Sequence, residues 1–157
     1  MRFFLMAATA SLFSLSTVMM MAQEAQAVQD TPVTINGVEA VCTGVGSAKD
    51  DPRWAAYPIK VVLATMGGAN LANAHVSLSK GGAEVAGLDC DAPWVLFKAP
   101  GGSYTAHATL IGGSGRSSST NFSTTGSGPQ KEITITFPLP SNGVSLPAGT
   151  VPPPADH

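Results

Sequence analysis

From Tyr57 onward, apolar and polar positions alternate with a period of two, the signature of half-buried strands. Residues 57–65 place Ile59, Val61 and Leu63 on one face. Residues 72–79 place Ala74, Val76 and Leu78 inward and His75, Ser77 and Ser79 outward. Lys80-Gly81-Gly82 predicts a hairpin turn, because glycine supplies the positive φ that tight hairpins need. Residues 83–88 make the return strand, and residues 93–98 the next. Pro100-Gly101-Gly102 predicts a further turn. Behind it lies the cleanest alternation in the chain, Tyr104, Ala106, Ala108 and Leu110 against Thr105, His107, Thr109 and Ile111. Residues 112–119 read as a Gly/Ser loop around Arg116, and residues 120–125 as a short edge strand. Residues 131–137 close the sheet, with Ile133, Ile135 and Phe137 inward.

The pattern upstream of Tyr57 is weaker. Residues 33–41 alternate in part around Asn36-Gly37, which predicts a short strand or a hairpin leading to Cys42. Residues 48–56 predict one or two helical turns, capped by Ser47, with Asp50 and Asp51 near the positive end of the dipole. Trp54 is expected to cover one open end of the fold. No long amphipathic helix alternates with the strands, which argues against an α/β sheet. About seven short strands joined by Gly-rich turns predict an all-β sandwich with at most one short helix.

The amino end adds a destination. Arg2 precedes a long run, residues 3–22, that is apolar apart from a few Ser and Thr. Ala25 and Ala27 then form the small-x-small pattern that signal peptidase reads. A signal peptide over residues 1–27 is expected, cut after Ala27, with the product in the periplasm or secreted. The run is long enough for an uncleaved anchor, but the polar residues and small-residue site behind it favour cleavage. Residues 28–137 are then one domain, and residues 138–157 a Pro-rich disordered tail.

Cys42 and Cys90 are the only cysteines. In an oxidising compartment their default is one intramolecular disulfide. A redox pair is usually C-x-x-C, and a metal site needs more ligands than two sulfurs.

Charged residues make up 11% of the chain against 44% apolar, so the chain can build a core despite its small polar residues. The net charge of −2 and the lack of a basic run give nucleic-acid binding no support. His75, His107 and His157 are isolated in sequence; His75 and His107 are read as solvent-facing strand positions that could face each other on neighbouring strands. No G-x-S-x-G elbow occurs. Asp89 and Asp91 flank Cys90 without a calcium-loop continuation and read as a solvated turn. Gly67-Gly68 and Gly112-Gly113-Ser114-Gly115 lack the lysine and helix of a phosphate loop. Trp94 is expected in the core or at the rim. No catalytic, cofactor-binding or metal-binding residue is assigned.

Two segments carry a resemblance. Ala99-Pro100-Gly101-Gly102-Ser103-Tyr104-Thr105-Ala106, behind the apolar Trp94-Val95-Leu96-Phe97, is similar to an "L-P-x-G-x-Y-x-V" pattern. Leu71-Ala72-Asn73-Ala74-His75-Val76-Ser77-Leu78 is similar to "L-x-x-A-x-V-x-I". Both patterns belong to the carboxypeptidase regulatory-like domain, a prealbumin-like, seven-stranded sandwich. Gly44-Val45-Gly46, Asp50-Asp51 and Tyr57-Pro58-Ile59-Lys60-Val61-Val62 follow the order seen in small exported bacterial proteins made of this domain alone. The resemblance covers roughly residues 44–137, and implies a scaffold without peptidase activity. Ala99 and Ala106 stand where larger aliphatics are usual, and the cysteine pair lies outside the pattern.

The expected function is an exported, non-catalytic binding or accessory protein of the bacterial cell envelope, contacting a protein partner through a sheet edge. A small prealbumin-like hydrolase and a purely structural domain are the alternatives. The hydrolase would need a catalytic tail motif that residues 147–157 do not carry.

Overall fold

The computed structural model describes residues 27–112 and 115–138. The expected signal peptide up to Gln26, the expected tail beyond Pro138, and Gly113-Ser114 of the Gly/Ser loop lie outside the described residues. The strands in chain order are β1 Val33–Ile35, β2 Val38–Thr43, β3 Ile59–Thr65, β4 Ala74–Lys80, β5 Ala83–Cys90, β6 Trp94–Lys98, β7 Gly102–Leu110, β8 Ser117–Thr124 and β9 Lys131–Phe137. They form a five-stranded sheet, β1-β2-β6-β3-β9, and a four-stranded sheet, β5-β4-β7-β8. The all-β, sandwich-like expectation therefore holds, with nine strands where about seven were expected.

Turn chemistry sets the local pairings. Asn36 and Gly37 both have positive φ, 49° and 81°, and so do Gly81 and Gly82 at 60° and 81°. Two successive positive φ values make the type I′ loop whose twist matches the flanking strands. The first loop joins β1 to β2 and the second joins β4 to β5. β9 runs parallel to β3, with Ile59 opposite Lys131 and Thr65 opposite Phe137.

The core lies between the inner faces. Ile59, Val61 and Leu63, then Val76 and Leu78, then Ile135 and Phe137 are all fully buried, as the alternation requires. Tyr104, Ala106, Ala108 and Leu110 of β7 are buried as well. Ser77 departs from its expected solvent-facing position: it is 4% exposed, although it lies on the outer face of its sheet. Neighbouring strands on both sides cover it.

The disulfide forms between Cys42 and Cys90, with Cα atoms 5.5 Å apart. Cys42 lies on β2 of one sheet and Cys90 ends β5 of the other, so the bond ties the two sheets together.

Pro100-Gly101-Gly102 leads from β6 in one sheet to β7 in the other, so this turn carries the chain across the sandwich. Three expectations need correction. Residues 48–56 hold no α-helix; two 3₁₀ turns occupy Gly46–Asp50 and Pro52–Ala56. Ser47 is not a cap: Val45 precedes the first turn without a side-chain bond, and Asp51 caps the second by accepting from the Arg53 amide. Pro52 cannot donate a backbone hydrogen bond, which separates the turns. Trp54 lies against the outer face of the five-stranded sheet with Val41, Tyr57 and Leu96, not over an open end.

Candidate functional site

A sandwich has four sheet edges, and each edge strand offers unpaired backbone groups unless something blunts it. Here β1 has only three residues. β9 opens with Lys131 and Glu132, the latter paired to Lys60 at 3.0 Å. β5 carries Glu84 and Asp89, and its ladder with β4 is interrupted by an irregularity between Leu78 and Ser79 of β4. The chain before β1 also reaches it, the Ala27 amide donating to the Asp89 carbonyl at 3.3 Å.

β8 differs from the other three. Its eight residues, SSSTNFST, contain no charge and no proline. It pairs with β7 in unbroken register from Gly102 opposite Thr124 to Thr109 opposite Ser117. It is longer than the short edge strand expected at residues 120–125, because Ser-Ser-Ser carries no apolar signal. β7 imposes the strand there: Thr109 and Ser117 hydroxyls lie 2.8 Å apart, and the Thr105 hydroxyl donates to Asn121 Oδ1 at 2.7 Å. On the inner side, Phe122 stacks on Tyr104 with centroids 5.9 Å apart and remains half-buried at the rim. Among the described residues, no backbone hydrogen bond reaches β8 from the side away from β7.

Above this edge the outer face of the four-stranded sheet is hydroxyl-rich. A shallow cleft of about 520 Å3 lies between the Gly81-Gly82 loop and Ser103, Thr105, Asn121 and Ser123. Its polar side chains largely satisfy each other, as in the Ser103–Ser123 contact at 2.9 Å.

The expected site and motif residues fall in three places. Cys42 and Cys90 join the sheets. Pro100, Gly101, Gly102 and Tyr104 act as one unit: the Tyr104 hydroxyl donates to the Pro100 carbonyl at 2.6 Å and closes the crossing turn. Burial holds the Tyr104 phenol above its ordinary pKa. Trp94 starts β6 on the outer face of the five-stranded sheet. The Lys60 ammonium sits 3.6 Å from its ring centroid, and the Gly44 backbone lies so close that a Cβ there would be 2.7 Å from the ring. Its ring is thus engaged by the protein itself.

The same outer face carries a polar constellation that sequence reasoning missed. The Tyr57 hydroxyl donates to Glu39 Oε1 at 2.6 Å, and Lys98 Nζ lies 3.2 Å from the same oxygen. These hydrogen bonds, Tyr57 first and Lys98 second, hold the Glu39 carboxyl below its usual range. Burial, then the Glu39 carboxylate, pushes the Tyr57 phenol up. The Glu39–Lys98 pairing across β2 and β6 was legible only once those strands were known to be neighbours.

His75 and His107 do lie on neighbouring strands of one face, but in diagonal register: His75 is opposite Thr109, and His107 is opposite Ser77. His75 Nδ1 instead meets Asp89 Oδ1 at 2.7 Å, so Asp89 belongs to a strand pair and not to a solvated turn. Asp91 is exposed, and its carbonyl accepts from the Gln29 side chain. Among the described residues, no hydroxyl hydrogen-bonds His75 Nε2, and no three His, Cys, Asp or Glu side chains converge in the arrangement of a metal site.

No protein-family model matches the chain, and no curated protein matches it in sequence.

Proposed function

We propose that this protein is an exported, non-catalytic β-sandwich that serves as a binding or accessory protein of the bacterial cell envelope. Its working surface in this reading is the β8 edge, where an extended segment of a protein partner pairs with the four-stranded sheet as a fifth strand. The observation that carries it is the contrast among the four edges: only β8 combines full length, no charge and no irregularity. The partner segment would be uncharged, with small or apolar side chains towards Phe122 and polar ones towards the hydroxyl-rich face. The Cys42–Cys90 disulfide is consistent with an oxidising, exported compartment. The prealbumin-like arrangement of the carboxypeptidase regulatory-like domain is part of this proposal, supported by the Leu71–Leu78 and Ala99–Ala106 motif matches, which fall on β4 and on the β6-to-β7 crossing.

Hydrogen exchange on the protein, alone and with envelope extract, tests the edge. Protection confined to β8 amides, and lost in Ser119→Lys/Asn121→Lys, whose side chains lie on the exposed outer face, with the melting temperature retained, supports the reading. Binding that leaves β8 amides unprotected, or turnover in a hydrolase screen, contradicts it.

A further inference from the structure

The segment that the β8 edge calls for is uncharged, polar towards the hydroxyl-rich face, and small or apolar towards Phe122. β8 itself meets that description. Ser117, Ser119, Asn121 and Ser123 are exposed on the outer side, while Ser118, Thr120, Phe122 and Thr124 alternate with them on the inner side and are half-buried. A strand that is its own complement can pair with its copy about a two-fold axis, where residue i meets j and j meets i. Such an axis does not tolerate charge, because a charge on it meets its own sign on the other copy. SSSTNFST carries none. The other three edges lack this property: β1 has only three residues, and β5 and β9 carry charges.

The face pattern also selects the register. Continuing the sheet keeps outward side chains outward, so opposite residues must come from the same face. An axis through Asn121 satisfies this. It sets Asn121 against Asn121 of the second copy, Ser119 against Ser123, Thr120 against Phe122 and Ser118 against Thr124. The two Phe122 rings then lie diagonally across the axis, about 7–8 Å apart along the backbone, a gap that aromatic side chains span. Within each chain Phe122 already stacks on Tyr104. An axis through Thr120 would set Phe122 against Ser118 and part the rings, and one through Phe122 would shorten the paired stretch to residues 120–124. At the Asn121 axis the side-chain amides complete each other. Asn121 Oδ1 accepts from Thr105, whereas Nδ2 has no protein acceptor among the described residues. An amide oxygen has two lone pairs, so each Nδ2 can donate to Oδ1 of the other copy.

We propose that two copies of this chain pair antiparallel through β8 about an axis at Asn121, joining their four-stranded sheets into one continuous sheet. This rests on the β8 reading: the second copy is the segment that occupies the edge, and an envelope protein binds there by displacing it.

Sedimentation equilibrium of the exported protein is expected to show one chain when dilute and two when concentrated. Hydrogen-exchange protection of β8 amides should rise over the same range. Ser119→Lys/Asn121→Lys sets lysine against lysine at the axis, outside the core, and should weaken pairing at least about tenfold. Asn121→Cys should cross-link two chains on oxidation, since Cys42 and Cys90 are already joined to each other. Ser117→Cys, which faces no copy of itself, should stay uncross-linked. A mass of one chain at every concentration overturns the proposal, as does cross-linking as complete in Ser117→Cys as in Asn121→Cys. If extract still protects β8 of that single chain, the pairing of copies alone has failed. Copies that pair through β8 while extract binds elsewhere uphold the pairing and contradict the envelope role of that edge.

Discussion

Gly101 and Gly126 lie against each other where the two sheets are bridged, and neither position has room for a side chain. A Cβ on Gly101 would lie 2.5 Å from the Thr125 carbonyl oxygen, and one on Gly126 would collide with the Gly101 amide nitrogen. The turn into β7 and the turn out of β8 are thus packed backbone to backbone. Gly101→Ala is expected to cost about 1–3 kcal/mol, the usual range for forced overpacking. Gly126→Ala should cost more, because Gly126 also has φ +73°. Gly102, with φ +155°, is restricted by its backbone, while its closest neighbour is only the flexible end of Lys80. Urea midpoints measure all three; an unchanged midpoint for Gly101→Ala would show that the turns do not pack this way.

The disulfide predicts a second loss. Cys42 and Cys90 are separated by 48 residues in sequence. Closing a loop of that length stabilises by about 4 kcal/mol on the chain-entropy model. The double variant Cys42→Ala/Cys90→Ala should fall short of the wild type by roughly 2–5 kcal/mol in urea unfolding. Reductant should then lower the midpoint of the wild type and leave the double variant unmoved.

Strand positions were legible where one face is buried, because burial enforces period two. Ile59, Val61 and Leu63, or Ile133, Ile135 and Phe137, could not be read otherwise. β8 was half legible: Phe122 signals a strand, but Ser117 to Ser119 are strand only because β7 offers them partners. Sheet membership was not legible at all around Pro100. A Pro-Gly-Gly turn has the same composition whether it makes a hairpin or crosses a sandwich, and only the pairing of β6 and β7 in different sheets tells them apart. The place of Glu84 opposite Ser79, beside the irregularity in the β4–β5 ladder, was hidden for a different reason. A single bulged residue shifts Glu84 to the other face, and bulges leave no alternation to read.

Trp54 predicts a local effect. It is 5% exposed, and its indole Nε1 donates to the Ala48 carbonyl at 2.7 Å, so it pins both 3₁₀ turns onto Val41 and Leu96. Gln130 reinforces this by donating to the Trp54 and Tyr57 carbonyls. Trp54→Ala should cost about 3–5 kcal/mol if the whole sandwich feels it. Amides of residues 46–56 should also exchange faster than those of β4 and β7. Protection of that segment left intact by Trp54→Ala would contradict its role as the pin.

Tyr57 and Glu39 predict opposite limbs of a stability–pH profile. The folded Glu39 carboxyl lies below its ordinary value of 4.5, held there by the Tyr57 hydroxyl and then Lys98. Its contribution is therefore present above that value and is lost as pH falls through the lower, folded one. The Tyr57 phenol lies above its ordinary value of 10.0, through burial and then its bond to Glu39. Its contribution is complete below 10.0 and is lost as pH rises towards the folded value. Tyr57→Phe should remove the alkaline limb attributable to this residue and cost about 1 kcal/mol at neutral pH. That figure stays modest because the Glu39 side chain is 38% exposed and keeps Lys98 as a partner. Glu39→Gln should flatten the acid limb instead. Unfolding free energies measured from pH 3 to pH 11 separate the two, and an alkaline limb unchanged in Tyr57→Phe would show that ionisation elsewhere sets it.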